Sequence, residues 1–196
     1  MKSTSILIKA LLLIGTMAGC QPRGKSDARE DSIFAQRTTT ASVADANSLD
    51  IISSDSYQGI SPGDKLAAHE DELVKSQLVN GEGNFTVYLI LNEQGGKIGY
   101  LMPDPNDATM VGDITITSST PVTTDGMRVG MTLGDLFNRY RNLEIHGSEI
   151  EGRTTASKDQ LSFRLDAEKH TYQVDPREIP LNTKITEISI NRPSVK

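Results

Sequence analysis

The sequence predicts an α+β fold built from two tandem repeats, each one helix packed on an antiparallel β-meander. Three observations lead there. The hexamer Gly59-Ile60-Ser61-Pro62-Gly63-Asp64 recurs as Gly130-Met131-Thr132-Leu133-Gly134-Asp135, 71 positions later. At an offset of 74, the alternating set Val87, Leu89, Leu91 corresponds to Leu161, Phe163, Leu165, and Val111, Ile114, Ile116 correspond to Ile185, Ile188, Ile190. Each hexamer reads as a helix start, and the period-two alternation after it reads as strands. A helix covering the apolar face of a meander makes a two-layer unit.

Each element has its own warrant. Ser61 and Thr132 are good N-cap residues, and Asp64 and Asp135 three positions on complete the capping-box spacing and suit the helix dipole. Pro62 at the first helical position loses nothing by lacking an N–H. In the second copy Leu133, Leu136, Phe137 and Tyr140 share one helical face. In the first copy Leu66, Leu73 and Val74 mark the apolar side of a weaker helix, and Gly81 marks a stop beyond it. Phe85 to Leu91 alternates, Asn92-Glu93-Gln94-Gly95-Gly96 supplies a turn, and Lys97 to Met102 returns. Leu161 to Leu165 and Thr171 to Val174, separated by Asp166 to His170, repeat that pattern. Ile114 to Ile116 and Ile185 to Ile190 close the two units.

The chain before the repeats has a different character. Lys2 and Lys9 precede the short apolar run Ala10 to Ile14, and small residues follow, as in a secretory signal peptide. The run is well short of the ~20 residues that span a bilayer as a helix. It ends on the single cysteine of the 196 residues. Met17-Ala18-Gly19-Cys20 resembles the lipobox of bacterial lipoproteins, with Met where Leu is favoured. That resemblance implies cleavage before Cys20 and acylation of its thiol and of the new terminus. Multiple acyl chains anchor well, since each buried CH2 contributes ~0.8 kcal/mol. Gln21, where Asp would imply inner-membrane retention, implies the outer membrane. Gln21 to about Asn47 is polar apart from Ile33-Phe34 and reads as a flexible tether. The expected organisation is a signal peptide over 1–19, the lipidated Cys20 and tether over 20–47, and the repeat domain over 48–196, with repeats near 48–118 and 119–191.

Composition narrows the function. With 20 Lys+Arg against 26 Asp+Glu, the net charge is -6, which argues against a nucleic-acid surface. One cysteine excludes an internal disulfide and a multi-cysteine metal site. Gly59-Ile60-Ser61-Pro62-Gly63 matches the G-x-S-x-G nucleophile pattern, but the oxyanion donor after the serine would be Pro62, which has no N–H. His69, His146 and His170 stand in no metal-ligand spacing. Asp104, Asn106 and Asp107 imitate the start of a calcium loop, yet Thr109 and Thr115 replace its Gly and Glu, so a proline-rich turn is expected and no metal or cofactor. The polar stretch Thr115 to Thr124 reads as the connection between the halves.

Ile116-Thr117-Ser118-Ser119-Thr120-Pro121, then Gly126, then Val129-Gly130-Met131-Thr132-Leu133-Gly134-Asp135-Leu136, resembles the sigma-E-regulated (RpoE-regulated) lipoprotein family of Gram-negative bacteria. The likeness spans about residues 85 to 191 and the lipoprotein N-terminus. It implies an envelope location and carries over no catalytic residue. Gly130-Met131-Thr132 is also similar to the helix start of tandem envelope modules that bind proteins through a sheet face. The resulting expectation is a non-enzymatic lipoprotein, membrane-held through Cys20, that binds or supports an envelope protein partner. A periplasmic serine hydrolase using Ser61, and an inhibitor of an envelope or host enzyme, are the alternatives left open.

Overall fold

The structure is a computed structural model, which describes residues 50–80 and 83–193. Cys20, the signal segment and the tether lie outside the described residues. The elements are β1 (Ile51–Ile52), β2 (Leu73–Asn80), β3 (Gly83–Leu91), β4 (Lys97–Pro103), β5 (Val111–Ile116), β6 (Val122–Thr123), α1 (Leu133–Arg139), β7 (Glu144–Gly147), β8 (Arg153–Lys158), β9 (Leu161–Glu168) and β10 (Ile185–Ile190), with short 3-10 turns at Leu66–Ala68 and Pro176–Glu178.

This corrects the predicted fold class. The described chain is mostly β, with one eight-stranded antiparallel sheet and a single α-helix, and not an α+β repeat of one helix on each meander. The sheet order is β2-β3-β4-β5-β10-β9-β8-β7. Two four-stranded meanders therefore meet along β5 and β10. There Thr115 stands opposite Ser189, with Ile114 opposite Ile190 and Ile116 opposite Ile188. Thr115 and Ser189, related by the offset of 74, thus pair on a local pseudo-twofold, which maps the pair Ile114–Ile190 onto Ile188–Ile116. A small parallel pair, β1 with β6, stands apart from the sheet.

The two hexamers take different paths. Thr132 caps α1 with a capping box, and the first helical N–H groups of Leu133 and Gly134 donate to the carbonyls of Thr183 and Leu181 at 2.9 and 2.8 Å. In the first copy no helix closes, because Gly63 leaves the helical region and the Leu66 N–H, which a helix would turn back onto Pro62, bonds across to another segment. Gly63 turns with φ +98°, its N–H donates to Val111 O at 2.8 Å, and Leu66 N–H donates to Thr109 O at 2.9 Å. Ser61 and Asp64 are consequently not helix caps. Asp64 still accepts the Ser61 backbone N–H at 2.8 Å, but it closes a turn. The segment around Leu73 and Val74, expected on a helix, is strand β2. Thr171–Val174 is not a strand, although Gln173 bridges to His146 on β7.

The Asn92–Gly96 turn forms as composition suggests. Asn92 Oδ1 accepts the N–H of Gln94 and Gly96 at 3.1 and 2.6 Å, and Gly95 takes φ +77°.

One face of the sheet holds the core. Leu101, Ile114, Ile116, Ile188, Ile190, Phe163 and Ala156 pack there with Leu133 and Leu136 of α1 and with Ile52, Tyr57 and Ile60. The Tyr140 ring lies 5.8 Å from the Phe163 ring. By alternation, the opposite face carries a row of hydroxyls along the register Thr115, Ser189, Ser162, Ser157. Thr115 and Ser189 hydroxyls are 3.1 Å apart, and those of Ser157 and Ser162 are 3.3 Å apart. Among the described residues, no helix is long and apolar enough to cross a membrane.

Candidate functional site

A large concavity lies where β4 ends. Pro103 closes that strand and Pro105 stops it from continuing, so the chain turns over 104–110 and returns as β5. The turn is knotted by Asp104. Its Oδ1 accepts the N–H of Asn106 at 2.7 Å and of Asp107 at 3.2 Å, while its own N–H donates to Met110 O at 2.9 Å. Asp104 is only 2% exposed. Its other oxygen meets the Arg192 guanidinium, which reaches over from the segment after β10. Arg192 is fixed a second way, since its backbone N–H donates to Asp113 Oδ1 at 2.9 Å. A buried carboxylate needs such a partner, because its desolvation is otherwise uncompensated.

Around this clamp opens a cleft of about 930 Å3, lined by Phe85, Met102, Pro103, Pro105, Ala108 and Pro193 among apolar residues and by Asp104, Asp107, Asp113 and Arg192 among charged ones. Asp104 and Arg192 neutralise each other, so the rim is anionic through Asp107 and Asp113. The Thr109 hydroxyl donates to Asp107 at 2.6 Å and the Thr109 N–H at 3.0 Å. Both hold the Asp107 carboxyl below its ordinary range, the hydroxyl more strongly, so the rim keeps this charge into acid. The chemistry available is an apolar wall beside a fixed negative rim, which suits an apolar group carrying a positive charge.

The residues singled out from sequence fall elsewhere. Asp64 accepts from Ser61 and lies 3.3 Å from His69 Nε2, while His69 Nδ1 is 3.8 Å from Glu72. Among the described residues His69 shares no hydrogen bond with the Ser61 hydroxyl, so the three do not form a relay from nucleophile to base to carboxylate. Thr132 and Asp135 cap α1: the Asp135 N–H donates to Thr132 Oγ1 at 3.2 Å, and Asp135 Oδ2 accepts the Thr132 N–H at 2.8 Å and its hydroxyl at 2.7 Å. His146 stacks on Tyr172 with ring centroids 4.6 Å apart. No group of three or more metal-ligating side chains is gathered among the described residues. The cleft itself escaped the sequence reading. Its signal was Asp104 between two prolines, a carboxylate placed to cap a turn, but its partner Arg192 stands almost ninety positions away.

No family model and no curated protein matches the chain. Among solved structures it is similar to the uncharacterized protein yfeY from Escherichia coli, at 13% identity with a TM-score of 0.49, covering 72% of this chain and 99% of that one. The chain thus has a distant structural neighbour, and the comparisons supply no link to the sigma-E-regulated family and no activity.

Proposed function

We propose that this protein is a lipid-anchored component of the cell envelope, held at the outer membrane through Cys20 and facing the periplasm, whose β-sheet domain binds another envelope component rather than catalysing a reaction. The lipobox-like Met17-Ala18-Gly19-Cys20 and the tether-like composition after it support the anchor. The cleft beside the 104–110 turn carries the binding reading. Its shape is set by the buried Asp104–Arg192 pair, its walls are apolar and its rim is anionic. The occupant that fits is an apolar segment of another protein bearing a basic side chain.

Two measurements test the two halves separately. Replacing Cys20 by Ala should abolish palmitate labelling and move the protein out of the membrane fraction; unchanged labelling and fractionation would refute the anchor. A photo-crosslinking amino acid at Ala108, on the cleft, should give a discrete envelope adduct in living cells. The same group at Ile150, which is 90% exposed and lies away from the cleft lining, should not. Equal adducts at both positions, or none at Ala108, would refute the site.

A further inference from the structure

The two edges of the sheet are treated differently. β7 is four residues long, and its outer side is covered: His146 bridges to Gln173, and the Gly147 N–H donates to Tyr172 O at 3.3 Å. β2 is eight residues long and pairs with β3 in unbroken register from Leu73 opposite Ile90 to Asn80 opposite Gly83. Among the described residues, no strand lies on its far side. Soluble proteins guard such an edge with prolines, bulges or several charges. Leu73-Val74-Lys75-Ser76-Gln77-Leu78-Val79 has no proline, no bulge and a single charge. Val74 and Val79 are 49% and 69% exposed.

The geometry points to a second copy of this chain as the partner of that edge, the two β2 strands pairing antiparallel to join two eight-stranded sheets. A twofold axis relating antiparallel strands must stand normal to the sheet, so each residue meets one of the same face. Placing the axis on Ser76 sets Val74 against Leu78, Leu73 against Val79, and Lys75 against Gln77. Every apolar residue then meets an apolar one, and the sole charge meets a neutral amide. Moving the axis to Lys75 would oppose two lysines, and moving it to Gln77 would set Ser76 against Leu78. The side chains therefore select one register, and they complement themselves.

Continuity of the surface agrees. Val74 and Leu78 lie on the face of Leu89 and Phe85, which they oppose in the β2–β3 register. Pairing about Ser76 would extend this apolar strip across the axis. The junction of β5 and β10 has the same design inside one chain, with the hydroxyls of Thr115 and Ser189 on the pseudo-twofold and isoleucines on either side.

The test uses the full chain purified in detergent. Sedimentation velocity over a concentration series should show a dimer that dissociates on dilution. In a Cys20→Ala background, Ser76→Cys should form an interchain disulfide under mild oxidation, because directly opposed Cα atoms lie about 4.5–5.5 Å apart and a disulfide spans roughly 4.4–6.8 Å. Gln77→Cys, opposed by position 75, should link far more slowly. The double substitution Val74→Lys with Leu78→Lys sets like charges against each other and should weaken association roughly tenfold or more, with thermal unfolding reporting whether the monomer is intact. A wild-type chain monomeric throughout the series overturns the proposal. So does a dimer that Gln77→Cys links as readily as Ser76→Cys, or that neither links.

Discussion

Thr132→Ala and Ser61→Ala are the same chemical change at equivalent places in the two hexamers, and the structure assigns them different costs. The Thr132 hydroxyl accepts the Asp135 N–H at 3.2 Å and donates to the Asp135 carboxylate at 2.7 Å, at the start of a real helix. Losing an N-cap side chain costs about 1 kcal/mol, within a range of roughly 0.5–2. Ser61 contributes only its backbone N–H to Asp64, at 2.8 Å, and alanine keeps that donor. Its loss should stay within about 0.5 kcal/mol. With a urea m-value of roughly 2 kcal/mol/M, Thr132→Ala should lower the midpoint by about 0.5 M, and Ser61→Ala should leave it almost in place. The pH dependence adds an independent arm. The Thr132 hydroxyl, and after it the Thr132 N–H, hold the Asp135 carboxyl below its ordinary value of 3.8. A lowered folded-state pKa means stabilisation that is complete above the unfolded value and fades as pH falls through the folded one. The gap between wild type and Thr132→Ala should therefore narrow below about pH 3.8. Equal midpoint losses for Ser61→Ala and Thr132→Ala would refute the reasoning, since they would require a helix cap where the chain makes a turn.

Three further outcomes follow from burial and close approach. The Thr154 hydroxyl is fully buried with no hydrogen-bond partner among the described residues, so Thr154→Val should raise stability by about 1 kcal/mol in the same urea assay. Asp104→Ala should cost about 2 kcal/mol, because it strands the Asn106 N–H and removes the partner of the Arg192 guanidinium, whereas Asp104→Asn should cost less, since its amide oxygen can still accept from Asn106. Thermal unfolding of both variants checks the order. Gly99→Ala drives a methyl group into the Thr115 carbonyl oxygen, where β4 lies beside β5, and should cost about 1–3 kcal/mol by calorimetry; a silent substitution would mean that the strands part easily there.

The strands that hydropathy could reveal were those buried on one face. β3, β9, β5 and β10 carry branched or aromatic residues at alternate positions, and α1 shows its apolar stripe between good caps. β8 was hidden because its inward residues are Thr154 and Ala156, small or polar side chains that face the core where Phe163, opposite Ala156, fills the space. β2 was hidden for the opposite reason. As an edge strand it buries little beyond Leu73, so its apolar residues fall in no strict alternation, and Leu66, Leu73 and Val74 imitate a helical face. Both hexamers bond their first N–H groups to distant carbonyls, and they diverge at Gly63, whose φ of +98° takes the chain out of the helix and hands the Leu66 N–H to the Thr109 carbonyl far along the chain. The cleft was illegible for a related reason: residues 85–86, 102–113 and 192–193 meet there.

The strand at the centre of the sheet is the last of the described strands in chain order. β10 pairs with β5 on one side and β9 on the other, so both half-sheets wait on residues 185–190. During synthesis β5 presents a bare edge until residues 185–190 arrive, and the closing contact spans 74 positions, which makes it slow to find. A chain cut short before Ile185 is then two meanders with raw inner edges and no hydrogen-bonded ladder between them. Residues 185–190 are in this way a condition of joining the two halves, and chains terminated before them should go to aggregation or proteolysis rather than to a whole domain.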